Sequence, residues 1–546
     1  MEDLLTTPAS SSKHLGDREG FLRSAQVSVN AFSGWGAIVA RGFLGLFLVP
    51  FLISHLGKEV YGLIGVVGVL VGFATLADVG LSSALARHLA AAIAVGDDEE
   101  VNRLVSTATG MFVTAGTLIA GICIVWSELL VDVLVGGGES TNEFRRQGAI
   151  LISWYGSPLI FISFINPVFT ATVNAHNRYD LTNTINTVCT LLAGIALIMV
   201  LPLSNSVLTV WIGIALGSQI FIVAAISFTA YRLRPSLRIQ FGLFSKRTFR
   251  RLFAFGGRVS ALQISHRLSL QIDPMILSHF LGPASVAIYR PAAVLVSLVR
   301  PVAQVLAMQS EPLVTTYHVT ERSEHLKQML IRGTRYTMLL GILPCTILGV
   351  FASAICEYWL GQTLGSDTHT TANVLLAWVI VDFFYYAEGN QYAVFTGTNH
   401  LGFPTCIDVP LCILNVTLSI FLVGYTSIGI IGVVLPTILT SFVRRPILAI
   451  YAAKCIGLSS KEYFMSSYLR PLTVFIILFS IALLLQLCTS PPTLIVLFAS
   501  CALVSTAWAA LCWFVGFSEP DRVTFRELRK RFARRTSRKR SKTSNI

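Results

Sequence analysis

A chain of 546 residues with 54% hydrophobic and only 13% charged side chains is not an ordinary soluble protein, because soluble chains carry about 25% charged residues. Its mean hydropathy of +0.69 leaves room for many bilayer crossings at about 20 apolar residues each. The net charge is +13, but the basic residues sit in short gaps between apolar runs, which is the positive-inside pattern of a membrane protein and not a nucleic-acid surface.

Residues 1–25 are polar and contain no apolar core of a signal peptide, so they read as a cytoplasmic N-tail. Apolar segments then follow at 26–54, 59–82, 105–131, 148–173, 181–202, 207–231, 252–281, 284–310, 334–355, 371–397, 402–423, 427–450, 470–488 and 492–516. The expected fold class is therefore all-α, a polytopic membrane protein of about 14 transmembrane helices, since open sheet edges cannot sit in lipid. The ten cysteines (123, 189, 345, 356, 406, 412, 455, 488, 501, 512) nearly all lie in apolar runs without metal-ligand or disulfide spacing, and read as small core residues.

Alternate gaps differ sharply in charge. Of the 41 Lys and Arg, 33 fall in one set: the N-tail, Arg87, Arg103, Arg178, the stretches 232–251, 322–335 and 444–470, and the C-tail. The other set holds only Lys58, Arg145 and Arg146. This asymmetry predicts both termini in the cytoplasm. The tail 522–542 (RVTFRELRKRFARRTSRKRSK) has eleven basic residues against Glu527 and reads first as a topogenic, solvated segment.

Two separated stretches repeat at nearly one offset. LISHLGKEVYG (52–62) lies over ILSHFLGPASVAIY (276–289), with Ser54–His55 on Ser278–His279 and Tyr61 on Tyr289. ATVNAHNRYDLT (171–182) lies over VFTGTNHLGFPT (394–405), with Asn177 on Asn399. Segments 1–6 and 7–12 therefore read as parallel repeats about an axis along the membrane normal. The expected organisation is an N-lobe at 26–231, a basic cytoplasmic linker at 232–251, a C-lobe at 252–452, two further helices within 453–516 and a basic cytoplasmic C-tail at 517–546.

The remaining five arginines, Arg41, Arg258, Arg267, Arg290 and Arg300, lie inside apolar segments, where facing lipid would cost about 2.5–3.5 kcal/mol each on insertion scales. They must line water or pair with acids. On the seventh segment, Arg258, Ser265, His266, Ser269 and Asp273 share one side at helical spacing, which resembles the wall of an aqueous cavity. A narrower stripe on the first segment holds Asn30, Ser33, Ala37 and Arg41, and the eighth carries Arg290–Pro291 and Arg300–Pro301. The tenth carries Asp382, Tyr385, Tyr386, Glu388, Asn390 and Gln391. One reading pairs the arginines with Asp273, Asp382 and Glu388 to hold the structure together. The other is a cavity with surplus positive charge for an anionic substrate, because a guanidinium fork matches phosphate or pyrophosphate. Asp78 reads as a partner of Arg87, and Gly68-x-x-x-Gly72 as a close helix contact.

No G-x-x-x-x-G-K-[ST], H-E-x-x-H, G-x-S-x-G or zinc-spaced cysteine pair is present. No cofactor is expected, and movement of a substrate must draw on an ion gradient, on consumption of the product, or on both. Asp273 and the pair Asp382/Glu388 are the candidate ion-coupling carboxylates.

LADVGLSSALARHLA (76–90) resembles the segment after helix 2 of bacterial polysaccharide and O-antigen flippases, and IDPMILSHFLGPASVAIYRPA (272–292) resembles their helix 7–8 hairpin. These belong to the multidrug/oligosaccharidyl-lipid/polysaccharide exporter superfamily, and the resemblance covers about residues 26–452. It implies two six-helix lobes around a central cavity that move undecaprenyl-pyrophosphate-linked sugar outward by alternating access in the bacterial inner membrane. It also implies a substrate-binding role for Arg41, Arg258, Arg267, Arg290 and Arg300, carried over by location and not by motif. The implied partners are the lipid-linked oligosaccharide, membrane lipids, and a polysaccharide polymerase with chain-length proteins, around a monomeric transport unit. The two extra helices resemble those of peptidoglycan-precursor flippases, where they help form a groove for the lipid tail. Competing readings are a small-molecule exporter of the same superfamily, which calls for an acidic or aromatic cavity, and a membrane polymerase, which calls for a large outer loop.

Overall fold

The computed structural model describes residues 10–75, 81–136, 142–253, 271–489 and 493–523. Asp78, Arg258, Arg267, most of the polar arc expected on the seventh segment and the tail beyond residue 523 lie outside them. Among the described residues every regular element is helical. Eleven helices there are long and apolar enough to cross a membrane. The first of these, Phe32–Ala74, joins two of the expected segments, and the eighth expected segment, with its arginines, is not among the eleven.

The chain divides into two compact units, Met1–Arg290 with Ser419–Gly429, and Pro291–Leu418 with Ile430–Ile546. The first unit opens with α1 (Ser10–Ala74), which is two helices joined at Gly57. Then come α2 (Leu81–Val95), α3 (Asp98–Val125), α4 (Ser127–Val135), α5 (Asn142–Ile150), α6 (Ser157–Ala175), α7 (Tyr179–Val200), α8 (Val207–Leu233) and α9 (Asp273–Leu281). The capping of α3 illustrates the local logic: Asp97 accepts from the Glu100 amide at 2.9 Å, and Asp98, Glu99 and Glu100 fill the first turn. Acids there complement the positive end of the helix dipole.

The stretches matched in sequence share local backbone geometry. Gly57 (φ 81°, ψ 161°) and Gly282 (φ 81°, ψ 163°) make the same left-handed turn after their Ser-His pairs. Asn177 and Asn399 both have φ 59°, in the region Asn tolerates better than most residues. Within the first unit the hairpin apices approach closely. A Cβ on Gly62 would fall 1.8 Å from the Pro283 carbonyl oxygen, and one on Gly136 would fall 2.1 Å from that of His279. His279 Nδ1 also donates to the Val133 carbonyl at 2.7 Å. Only glycine permits that approach.

The unit division falls inside α10 (Pro283–Val319). The second unit continues with α11 (Ser323–Val350), α12 (Ala352–Leu364), α13 (Thr368–Gly397), α14 (Gly402–Tyr425), α15 (Val434–Cys455), α16 (Ser460–Ser467), α17 (Leu469–Cys488) and α18 (Leu494–Leu511). Burial ranks these helices by position. The span that ends in α13 is 61% buried over its most apolar window, while α8 of the first unit is 11% buried. Thus α13 is central to its unit, and α8 offers Phe221 and Phe228 to lipid.

The C-terminal helices are fastened to α11. Trp508 Nε1 donates to the Leu339 carbonyl at 2.8 Å. Beyond α18, the fully buried Asp521 accepts from Arg335 Nη1 at 2.8 Å and from the Tyr336 hydroxyl at 2.7 Å. Burial by itself would raise the Asp521 carboxyl, but hydrogen bonds from Ser518 and Tyr336 and the Arg335 charge hold it below the usual carboxylate range. A carboxyl lowered on folding stabilises above its unfolded value of about 3.9 and loses that contribution as pH falls through the lower folded value. The purified protein should accordingly melt at falling temperature as pH drops from about 5 to about 3, with residues 517–523 becoming protease-sensitive. Asp521→Asn should loosen residues 517–523 already at neutral pH and flatten this part of the pH profile. Equal protection of residues 517–523 in the wild type and the variant would remove Asp521 from that role.

Candidate functional site

In the second unit the polar residues of α13 meet cations from two other helices. Arg300 on α10 grips Asp382 with Nη2 at 2.7 Å and Nε at 3.0 Å from Oδ1, and Nε at 3.1 Å from Oδ2. Its guanidinium lies 5.1 Å from the ring centroids of both Trp378 and Tyr385, so its faces are covered as well as its edge. Further along α13, Glu388 is 2.7 Å from Arg444 and 3.5 Å from Arg445. Arg444 also donates to Asp408 on α14 at 2.6 Å and to the Tyr392 hydroxyl at 2.9 Å. Arg445 donates to the Val381 carbonyl. Three cations thus face three carboxylates, and this cluster carries no surplus positive charge.

Neutral polar groups extend the network. Asn390 accepts from Ser310 at 3.0 Å and donates to Thr337 at 3.1 Å, and Gln391 donates to Tyr468 at 2.9 Å. Arg444 and Arg445, placed in a cytoplasmic gap by the charge count, are instead inside α15 with side chains only 15% and 9% exposed. Asp408 joins the cluster without having been expected there. An acid within an apolar run is itself a signal. Beside this cluster a cavity of about 270 Å³ is lined by Phe383, Phe384, Phe442, Phe464 and Leu472, with Arg445 on its wall.

The first unit is different. Arg290 is half-buried and packs over Gly65 so closely that a Cβ there would meet its Nη1 at 2.6 Å and its Cδ at 2.7 Å. Its charge acts on the hydroxyls of Tyr61 and Tyr155. Among the described residues no carboxylate lies within ion-pair distance of it. Arg41 is exposed, its Nε donating to the Ala37 carbonyl one turn back at 3.1 Å. Asp273 is fully buried; its Oδ2 accepts from Tyr289 at 2.7 Å, and its Oδ1 has no hydrogen-bond partner among the described residues. None of the described arginines pairs with it.

The stripe on the first segment proves largely structural. Asn30 donates to the Asn177 carbonyl at 2.9 Å and accepts from the Asp180 amide at 3.0 Å. Ser33 accepts from Asn183 at 3.3 Å. These bonds tie α1 to α7, which leaves Arg41 as the member of that stripe not used between the two helices.

Helices of this length and polarity pattern, with buried ion pairs inside the bundle, define a multi-pass membrane protein. The chain belongs to the polysaccharide biosynthesis protein family, which matches it over residues 30–312. It is similar to an uncharacterized membrane protein, EpsK, of Bacillus subtilis (strain 168), at 22% identity over 91% of this chain and 96% of the relative. It is also similar to a putative O-antigen transporter of Shigella flexneri, at 26% identity over 62% of this chain and 76% of the relative. Among solved structures, the lipid II flippase MurJ in an inward closed conformation has the same fold, with a TM-score of 0.64 and 15% identity over 89% of this chain and 98% of that one.

Proposed function

We propose that the protein flips an undecaprenyl-pyrophosphate-linked oligosaccharide, the repeat unit of a surface polysaccharide or O-antigen, from the inner to the outer leaflet by alternating access. The observation that carries this reading is Arg290, a half-buried guanidinium with no carboxylate partner among the described residues. A cation kept in that state has its donors available for an anionic group, and the fork suits a diphosphate. Arg41, exposed and with no carboxylate within ion-pair distance among the described residues, is assigned to the same role, as are Arg258 and Arg267 from the sequence. The family match and the O-antigen transporter relative support polysaccharide precursor as the substrate class. The phenylalanine-lined cavity beside α15 and α17 has the apolar lining that a polyprenyl tail requires. Under this reading the protein is a transporter and not an enzyme, acts in the bacterial inner membrane with both termini cytoplasmic, and hands its substrate to a polymerase.

Asp273 is the carboxyl we assign to ion coupling, because Asp382 and Glu388 are already held by arginines. The test is reconstitution. Proteoliposomes loaded with fluorescent undecaprenyl-pyrophosphate oligosaccharide should expose the sugar to an external lectin faster than protein-free vesicles. Asp273→Asn should remove any acceleration by an imposed proton or sodium gradient. No acceleration by the wild-type protein under any gradient would overturn the flippase reading. A wild-type rate indifferent to both gradients would remove Asp273 from coupling.

A further inference from the structure

A second polar site in the first unit is built on α4, α5 and the turn that follows them. Helix α5 packs against α4 so tightly that a Cβ on Gly148 would come within 2.9 Å of Val131 Cγ2. It then runs into a π-helical turn, Leu151–Gly156. Such turns are rare and recur at functional sites, because the extra residue redirects side chains out of α-helical register. Here the turn is pinned on its inner side. Ser157 Oγ donates to the Ile152 carbonyl at 2.9 Å, a Cβ on Gly156 would meet Val67 Cγ1 at 2.9 Å, and Tyr155 meets Trp211 edge-on with ring centroids 4.7 Å apart. Trp154 is therefore turned outward and is 70% exposed.

Beside it is a cavity of about 370 Å³ whose wall is part polar, from Glu128, Asp132, Arg145, Arg146 and Ser153, and part apolar, from Trp154 and the aliphatic side chains of α4 and α5. Its size is at the lower end of small-ligand pockets, roughly 300–1,000 Å³. Arg145 and Asp132 are 3.2 Å apart and each remains nearly half exposed, so both keep free hydrogen-bonding edges toward the cavity. Two cations against two carboxylates give no net charge, which disfavours a phosphate. The set does offer planar donors and planar acceptors side by side, and sugar hydroxyls donate and accept at once. A broad exposed aromatic face supplies the complementary surface for the C–H side of a pyranose ring.

Arg145 and Arg146 are also two of only three basic residues in the outer set of gaps, the side that the charge rule leaves poor in cations. We infer that the Trp154 cavity is an extracytoplasmic carbohydrate-binding subsite that takes the delivered glycan headgroup after it has crossed. The inference rests on the flippase reading and on the orientation that goes with it.

The test uses the full chain in nanodiscs and, as probe, delipidated oligosaccharides released by mild acid from the surface polysaccharide of the cell that makes the protein. Wild-type protein should bind them saturably. Trp154→Ala and Arg146→Ala should each weaken binding by roughly tenfold or more, as truncating an anchor residue does, while Trp154→Phe retains most of it. Melting curves identify any variant that has merely unfolded, and Asp132→Asn supplies a second, less disruptive probe of the polar wall. Unchanged affinity in the folded variants, no binding by the wild type, or competition by phosphoethanolamine in place of sugar would overturn the subsite, the last by making it a lipid-headgroup site. Flipping by wild-type proteoliposomes is read separately. A protein that flips without this binding sinks only the subsite, and one that does not flip sinks the transport reading itself.

Discussion

Under the proposed flippase activity, Arg290→Ala should reduce polysaccharide export about tenfold or more while leaving the amount of protein in the membrane unchanged. Arg300, Arg444 and Arg445 are each paired with a carboxylate, whereas no described carboxylate neutralises Arg290. Removing it leaves no orphaned acid behind among the described residues, so stability should change little. A charge-assisted hydrogen bond to a phosphate contributes about 1.5–3 kcal/mol, so losing even one should slow transport about tenfold or more. Arg290→Lys should restore part of the activity, because an ammonium supplies charge without the two-pronged geometry. Gly65→Ala provides an independent approach. Its methyl would fall 2.6 Å from Nη1 and 2.7 Å from Cδ, displacing the guanidinium without removing the charge, and export should fall with it. Pulse-labelled lipid-linked precursor should accumulate inside in each case. Full export by Arg290→Ala in cells would dismiss the residue as a substrate ligand.

The helical, many-span architecture was legible because apolar runs of membrane length have few other uses. The likeness between the two matched pairs of stretches was legible at their turns. Ser-His followed by Gly57 or Gly282, and Asn177 against Asn399, are positions where backbone geometry restricts the residue type, and the paired residues have the same φ. The pairing of charges was not legible. Arg444 and Arg445 stand at the edge of an apolar run, where lysines and arginines usually face the cytoplasm, yet α15 continues past them and buries both. Their partners, Glu388 and Asp408, are on other helices, and no local spacing announces a contact between elements. The Asn30–Ser33 stripe misled in the opposite direction. A polar face on a helix has the same spacing whether it borders water or hydrogen-bonds to a neighbouring helix, and here it does the latter with α7. The expectation of surplus positive charge therefore fails for the α13 cluster, and in the described residues it rests on Arg41 and Arg290.

The α13 cluster yields the largest stability effect expected in this chain. Asp382 is 2% exposed and takes its close-range charge compensation from Arg300. Arg300→Ala should destabilise the protein by about 3–5 kcal/mol, chiefly by leaving a buried carboxylate without its partner. Glu388→Ala should cost a similar amount, since it strands Arg445 and leaves Arg444 with Asp408 alone. The informative variant is the double one. Arg300→Met with Asp382→Leu replaces the pair by apolar side chains of similar volume, a change that is often neutral or stabilising by about 1–4 kcal/mol. Thermal melting of the purified protein should therefore show a low value for Arg300→Ala and a value at or above wild type for the double variant. Export separates the two roles that the sequence left open for this arginine. A double variant that folds and still exports identifies Arg300 and Asp382 as a clamp between α10 and α13. A double variant that folds and does not export returns Arg300 to the substrate path, where the pair would have to open during each cycle.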